Sequence, residues 1–560
     1  MTMTHRFLMY AILLIAGLLG GCSGDRSQDA ALPMAAPEQT PPTPAAPPRR
    51  PNILYIAGDD LGFSDLGAYG SEIPTPNLDA LANNGVRLKN FYTGPACSPT
   101  RSMIFSGMDS HLAGVGVMGG SRPEHKGQPG YQGRLNFHVA SLADLLKDAG
   151  YNTYIAGKWH LGWSEETGPV ARGFRRAFVS LDGAAHLGPF SWNDDGTNRY
   201  RDGTQLVTAS HDFYSTRAYT EKMIEYIEAD RAEGKPFFAF LTYTAPHWPV
   251  QAPDEAIARF KGKYDAGYDA LYEQRLARQK ALGLIPADAK GAPRAEGQPA
   301  WEELTEAERR IEARKMEVYA AMVSELDIHV GKVLDYLKSI GEFDNTFIIF
   351  TSDNGAEGGR RETMSPLKEW VEKCCDNSLE NLGRGNSYIM YGPNWARVSA
   401  APFDHLKGSA YEGGVHVPAF VHFAPLGRAG SSVAGVSSVM DLLPTFLELA
   451  GTAHPGSTYK GRPVLPVAGV SLLPMLRGEV DSPRRDPDYV GWELGGQRGI
   501  RAGDWKIVWD SREGDQAHWR LFNLANDISE QNDLAESEPD RLAEMLVFWE
   551  DYHMRNHLIP

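Results

Sequence analysis

Four apolar runs set the frame of this chain, and each stops at a cluster of polar residues. Residues 52–57, with Ile53, Leu54, Tyr55 and Ile56, end in Gly58-Asp59-Asp60. Residues 151–156 end in Gly157-Lys158-Trp159-His160, and residues 236–243 in Thr244-Ala245-Pro246-His247. Residues 346–350 end in Thr351-Ser352-Asp353-Asn354-Gly355. Runs of this length and composition predict buried strands. Between them, residues 141–148, 216–229 and 312–340 read as helices. Strand alternating with helix predicts an α/β fold, a mostly parallel sheet flanked by helices. Ligands in such sheets bind beyond the carboxyl ends of the strands, so all four polar clusters fall on one edge. A single cluster can be a turn or a helix cap, but four on one edge predict a site.

The clusters divide by chemistry. Asp59, Asp60, Asp353 and Asn354 offer only oxygen ligands, a set suited to a hard cation, calcium or magnesium, more than to zinc. Adjacent aspartates cannot share a strand face, so Asp59 and Asp60 belong in a turn where both reach a metal. Lys158 and His160, two apart, point the same way if strand conformation persists. Lys158 adds positive charge for an anionic substrate, while His160 and His247 can carry protons near neutral pH. A further cation, Lys407, lies in Leu406-Lys407-Gly408-Ser409, just ahead of Glu412-Gly413-Gly414. Cys97-Ser98-Pro99-Thr100-Arg101 leads into a helix-compatible run that ends at Ser106-Gly107. That places a cysteine at the positive end of a helix, with a rigid bend and a fixed cation beside it.

Composition narrows the class. The 560 residues, 42% hydrophobic and 10% aromatic, suffice for a large packed domain and a smaller one. A formal net charge of −16 argues against a nucleic-acid partner, which needs a basic footprint. Four cysteines are too few for a disulfide framework. Arg6 precedes an apolar run, residues 7–19, too short to span a bilayer comfortably. It ends at Leu19-Gly20-Gly21-Cys22, which resembles the lipobox of bacterial lipoproteins. Residues 1–22 therefore read as a lipoprotein signal peptide, with Cys22 as the lipidated residue. Residues 23–50, rich in Pro and Ala, read as a tether. The expected location is the cell envelope, anchored in a membrane through lipid and facing the periplasm or the cell exterior.

The pattern Cys-x-Pro-x-Arg at Cys97–Arg101 resembles the signature of the type I, formylglycine-dependent sulfatases. Gly58-Asp59-Asp60-Leu61-Gly62, Gly157-Lys158-Trp159-His160-Leu161-Gly162, Ser352-Asp353-Asn354-Gly355 and Glu412-Gly413-Gly414 occur in the order and context of bacterial arylsulfatases. The resemblance implies an alkaline-phosphatase-like mixed sheet sandwiched by helices, over residues 51–480. It also implies a smaller C-terminal α+β subdomain, residues 481–560, with an antiparallel sheet and a helix. Residues 489–493, 506–509 and 519–523 read as its strands and 539–552 as its helix.

The mechanism implied by the resemblance follows residue by residue. Cys97 is oxidised by a formylglycine-generating maturation system and hydrates to a geminal diol. Asp59, Asp60, Asp353 and Asn354 hold one calcium ion, ahead of magnesium, that also touches residue 97. One hydroxyl attacks sulfur, and His247 protonates the departing alcohol. Lys158 and Lys407 bind the sulfate oxygens, and Arg101 steadies the diol. His160 takes the proton of the second hydroxyl as sulfate is expelled. The expected substrate is a small aryl or alkyl sulfate ester. The alternatives are a phosphonate or phosphate ester hydrolase of the same superfamily, and a non-catalytic lipoprotein that captures sulfated ligands.

Three segments stay open on the sequence. Cys374-Cys375 is compatible with a vicinal disulfide or with two thiols. Residues 253–310 read as a helical insertion near the site's rim. Residues 186–210, rich in Gly, Asp and aromatics, fit either a pocket wall or ordinary surface.

Overall fold

The structure, a computed structural model, describes residues 49–118, 123–181, 185–191, 199–485 and 488–559. The predicted signal peptide, Cys22 and nearly all of the tether lie outside the described residues. The central sheet has ten strands. They are β1 (Asn52–Gly58), β2 (Val86–Leu88), β3 (Asn152–Lys158), β4 (Arg176–Ser180), β5 (Arg199–Asp202), β6 (Gln205–Thr208), β7 (Phe237–Thr242), β8 (Thr346–Ser352), β9 (Ala419–His422) and β10 (Ser431–Val433). Their spatial order is β10-β2-β9-β8-β1-β7-β3-β4-β5-β6. The middle five, β8-β1-β7-β3-β4, are parallel, whereas β9 and β5 pair antiparallel at either side.

The parallel centre is the part that long apolar runs predict. Both faces of β1 are covered: Leu54 and Ile56 join one core, Ile53, Tyr55 and Ala57 the other. Alternate side chains leave opposite faces, so a strand covered on both sides has to be apolar throughout. The helices that matter below are α1 (Cys97–Ser106), α2 (Leu142–Asp148), α3 (Ser215–Asp230), α4 (Gly267–Ala281), α5 (Glu306–Ser339), α6 (Leu367–Cys374) and α7 (Pro539–Arg555). α5 starts with a reciprocal cap: Thr305 N–H donates to Glu308 Oε2 at 2.8 Å, and Glu308 N–H donates back to Thr305 Oγ1 at 3.3 Å. It then packs Met316, Val323, Leu326 and Val330 into the first core.

Register settles where the polar clusters sit. Gly58 pairs with Ser352, Ala57 with Thr242, and Gly157 with Thr242, so the four strand ends are level. Gly157 has φ +127°, and a Cβ there would collide with the Thr242 carbonyl, so the close approach of β3 to β7 requires glycine.

The C-terminal sheet is antiparallel, with β11 (Val490–Leu494), β12 (Gln497–Ala502), β13 (Trp505–Trp509) and β14 (Trp519–Asn523) in sequence order, backed by α7. The insertion at 253–310 is helical where it is regular, chiefly α4, as expected. Cys374 and Cys375, at the end of α6, form a vicinal disulfide. Among the described residues, no helix is long and apolar enough to cross a membrane.

Candidate active site

α1 begins at Cys97, straight after Ala96 in extended conformation, and all ten of its residues are buried. It ends where Gly107 turns left-handed, as the Ser106-Gly107 pair suggested. The Cys97 thiol therefore sits at the positive end of a buried helix. Sγ lies 3.3 Å from Asp59 Oδ1 and 3.8 Å from Asp60 Oδ1. Burial, with Asp353 and Asp59 adding negative charge, pushes the thiol well above its ordinary range.

Asp59 and Asp60 share the turn after β1, and a left-handed backbone at Asp60, φ +65°, aims both carboxylates inward. Asp60 N–H donates to Asp353 Oδ1 at 3.3 Å, tying the turn to the end of β8. Lys158 Nζ donates to Asp59 Oδ2 at 2.6 Å, and Lys407 Nζ donates to Asp60 Oδ1 at 2.6 Å. Arg101 donates through Nη2 and Nε to Asp353 Oδ2, at 2.7 and 3.1 Å, and through Nη1 to the Lys158 carbonyl at 2.7 Å. These bonds orient Asp353 and the end of β3.

Three carboxylates crowd a volume almost closed to water. Burial pushes Asp59 up, but Lys158, His247, Arg101 and Lys407 outweigh it and hold the carboxyl far below the usual range. Burial and the neighbouring Asp59 charge, against Arg101 and Lys158, push Asp353 up to about 6. Burial also opposes the charges on Lys158 and Lys407, yet Asp59 and Asp60 beside them keep both above the ordinary lysine range.

This arrangement fits a cation. Asp60 Oδ2 and Asn354 Oδ1 are buried and accept no hydrogen bond among the described residues. Ligand atoms of Asp59, Asp60, Cys97 and His247 lie within 4.8 Å of one another. Asn354 Nδ2 donates to Asp60 Oδ1 at 2.7 Å, leaving its oxygen for a metal. Unpartnered oxygens next to repelling carboxylates are what a hard divalent ion would satisfy. With such an ion bound, three carboxylates face a divalent charge plus Arg101, Lys158 and Lys407, so the site is net positive and suits an anionic ester.

The histidines sit at the edge of this cluster. His247 Nδ1 donates to the Trp248 carbonyl at 2.5 Å, which leaves Nε2 facing the site, 3.6 Å from Asp60 Oδ2. Burial and the Lys158 and Lys407 charges push it well below its ordinary range. His160 is lowered too, by burial and then by Lys158 and Arg101, so it is a neutral base. It does not share the strand face of Lys158 by continued alternation. β3 ends at Lys158, and His160 adopts φ +55°, so a left-handed turn, rather than strand geometry, sets its direction.

All ten predicted residues thus occupy the carboxyl edge of the sheet. The segment after position 185 adds one that residue patterns did not single out. His186 is buried and bonds through Nε2 to the His247 carbonyl at 2.8 Å, steadying that loop. Glu357, 3.6 Å from Lys407, is another. Neither belongs to a strand-end cluster or to the Cys97 and Lys407 stretches, which were the local signals available.

Fold and site together define an alkaline-phosphatase-like α/β hydrolase for anionic esters. The chain belongs to the sulfatase family, whose model matches residues 51–452. It is 43% identical to an uncharacterized sulfatase of Schizosaccharomyces pombe over 91% of this chain and 95% of that one. It is 41% identical to an arylsulfatase of Klebsiella aerogenes over 76% of this chain and 92% of the other. Among solved structures it is similar to Ps i-CgsB in complex with k-i-k-neocarrahexaose, at 25% identity, TM-score 0.66, and coverage of 91% and 94%. The protein is a sulfatase enzyme, and its reaction is the hydrolysis of sulfate esters.

Proposed function

We propose that this sulfatase cleaves aryl or alkyl sulfate esters to an alcohol and inorganic sulfate, with residue 97 working as formylglycine. The observation that carries this reading is the seat of Cys97, a buried thiol at a helix start, enclosed by metal-type oxygens and two lysines. As the hydrated aldehyde made by a maturation system, residue 97 would supply a hydroxyl nucleophile and a second hydroxyl for product release. A calcium ion held by Asp59, Asp60, Asp353 and Asn354 would supply the charge that activates that hydroxyl and polarises the sulfate. Magnesium is the less suited occupant, because it prefers to keep several waters.

The chain's own groups do the rest. Lys158, paired with Asp59, and Lys407, paired with Asp60, hold the sulfate oxygens and offset charge that shifts among them in the transition state. Arg101 fixes Asp353. His247 turns Nε2 to the leaving-group side, with Nδ1 committed to Trp248. An anionic ester bound between the lysines offsets the charges that disfavour a proton at Nε2, and that proton passes to the departing oxygen. His160, kept neutral, accepts the proton released at residue 97. The arylsulfatase relative supports an aryl alcohol half.

Matched aryl sulfate, phosphate and phosphonate esters test the reading. Sulfate should be preferred, and a phosphonate preference by orders of magnitude would overturn it. Location is proposed on sequence alone: export, lipidation at Cys22 and attachment to the cell envelope. Cys22→Ala should move the protein from the membrane fraction to the soluble one; continued membrane association contradicts the anchor.

A further inference from the structure

Glu412, Gly413 and Gly414 bring no group to the chemistry above, yet three site-bearing segments hang on the turn they form, Glu412–Val415. Gly413 N–H donates to the Asp404 carbonyl at 2.9 Å, holding the loop that carries Lys407. Gly355 N–H donates to the Gly414 carbonyl at 3.0 Å, directly after Asp353 and Asn354. Thr93 N–H donates to the Val415 carbonyl at 2.9 Å, four residues ahead of Cys97. A Cβ on Gly413 would collide with the Asp404 and His405 carbonyls, and one on Gly414 with the Ser409 carbonyl. The contacts are too close for any other residue.

What fixes the turn comes from the C-terminal sheet. Glu412 is 1% exposed. Its Oε2 accepts from the Tyr92 hydroxyl and from His416 Nδ1, both at 2.7 Å, and its Oε1 accepts from Lys506 Nζ at 2.7 Å. Glu412 N–H donates to Glu530 Oε2 at 2.7 Å, and Glu530 Oε1 lies 2.9 Å from Lys506 Nζ. Lys506 is on β13 and Glu530 in the segment before α7; both side chains are fully buried. Burial and the Glu412 charge, against Lys506, push Glu530 up to about 8, so near neutrality it serves as an uncharged acceptor. Burying such a cluster is costly, and a hydrophobic packing would serve stability as well. The cluster makes sense as a device that sets geometry.

We infer that Lys506 and Glu530 are positioning residues for sulfate ester hydrolysis, acting through Glu412 to place Lys407 against the substrate. This rests on the reading that Lys407 binds sulfate.

The test is a double-mutant cycle on the full chain, with p-nitrophenyl sulfate as substrate and turnover expressed per chain converted at residue 97. Lys506→Met should lower kcat by about tenfold in the parent background but by less than about twofold in Lys407→Ala, because residues acting through one another are not additive. Equal losses in both backgrounds overturn the inference and leave Lys506 a structural residue. Unchanged turnover in Lys407→Ala alone overturns the sulfate-binding reading instead. Where Lys506→Met does not fold, Glu530→Ala takes its place in the same cycle. Glu530→Gln keeps the acceptor for Glu412 N–H, so it should recover most of the kcat lost in Glu530→Ala; no recovery contradicts the hydrogen-bonded positioning.

Discussion

At the scale of single residues, this site is a contest between burial and paired charge, and Asp59, Lys158 and Lys407 show its outcome. None of the three would keep its charge alone at such depth, since an isolated buried ion neutralises. Each lysine is held by an aspartate at 2.6 Å. Removing a lysine should therefore cost more in turnover than in binding. Lys158→Ala or Lys407→Ala should each raise the barrier by about 2.7–4 kcal/mol, the scale of a lost oxyanion-hole donor. Steady-state kinetics on an aryl sulfate reads this as a fallen kcat. An unchanged kcat with a raised KM would mean that the lysines only capture substrate. The carboxylates make a separate prediction. Asp59→Ala or Asp353→Ala should abolish activity with little loss of folded structure by circular dichroism, because each neutralises the bound ion. In the parent protein, calcium at about 100 Kd should stabilise the fold by about 2.7 kcal/mol, read as a raised melting temperature. Activity that survives thorough chelation would contradict the metal.

At the scale of elements, the readable parts were those whose physics is local. β1, β3, β7 and β8 are buried on both faces, so they stand out as apolar runs, and the polar residues that stop them mark the site's edge. Less was legible where partners are distant. β12, Gln497–Ala502, is half polar and is recognisable mainly by the Gly495-Gly496 and Gly503-Asp504 turns around it. The strands β2 and β10, next to each other at one side of the sheet, are three residues each, too short for a pattern. Left-handed backbones at Asp60 and His160 leave no mark in residue type, and the Lys506–Glu412 pair spans 94 positions.

One such long-range link makes a pH prediction. In the loop after α1, His111 Nδ1 pairs with Asp109 Oδ1 at 2.7 Å, and Nε2 with Glu493 Oε2 on β11 at 2.8 Å; Tyr552 on α7 donates to Asp109 Oδ2 at 2.6 Å. Burial opposes the imidazolium, but Asp109 and Glu493 overcome it and push His111 up to about 9. A folded-state value above the unfolded one stabilises fully below pH 6.5, and the gain is lost as pH rises through about 9. The contribution is about 3 kcal/mol from a shift of this size. Unfolding free energies between pH 6 and 10 should decline in the parent and lose this component of the decline in His111→Gln; identical slopes would contradict it.

At the scale of the whole molecule, the central sheet supplies the edge, and the C-terminal sheet braces it. Trp492 Nε1 on β11 donates to the Thr93 carbonyl at 2.8 Å, and Lys506 on β13 holds Glu412. The strand-end clusters, α1 and the brace converge on residue 97, which the proposed mechanism needs as formylglycine and not as a thiol. Mass analysis of active protein tests that point most directly. A peptide spanning residue 97, from a host with a formylglycine-generating system, should be about 18 Da lighter than the cysteine form, or appear as its hydrate. The converted fraction should scale with specific activity across preparations. Full multiple-turnover activity from chains with an intact Cys97 thiol would contradict the mechanism.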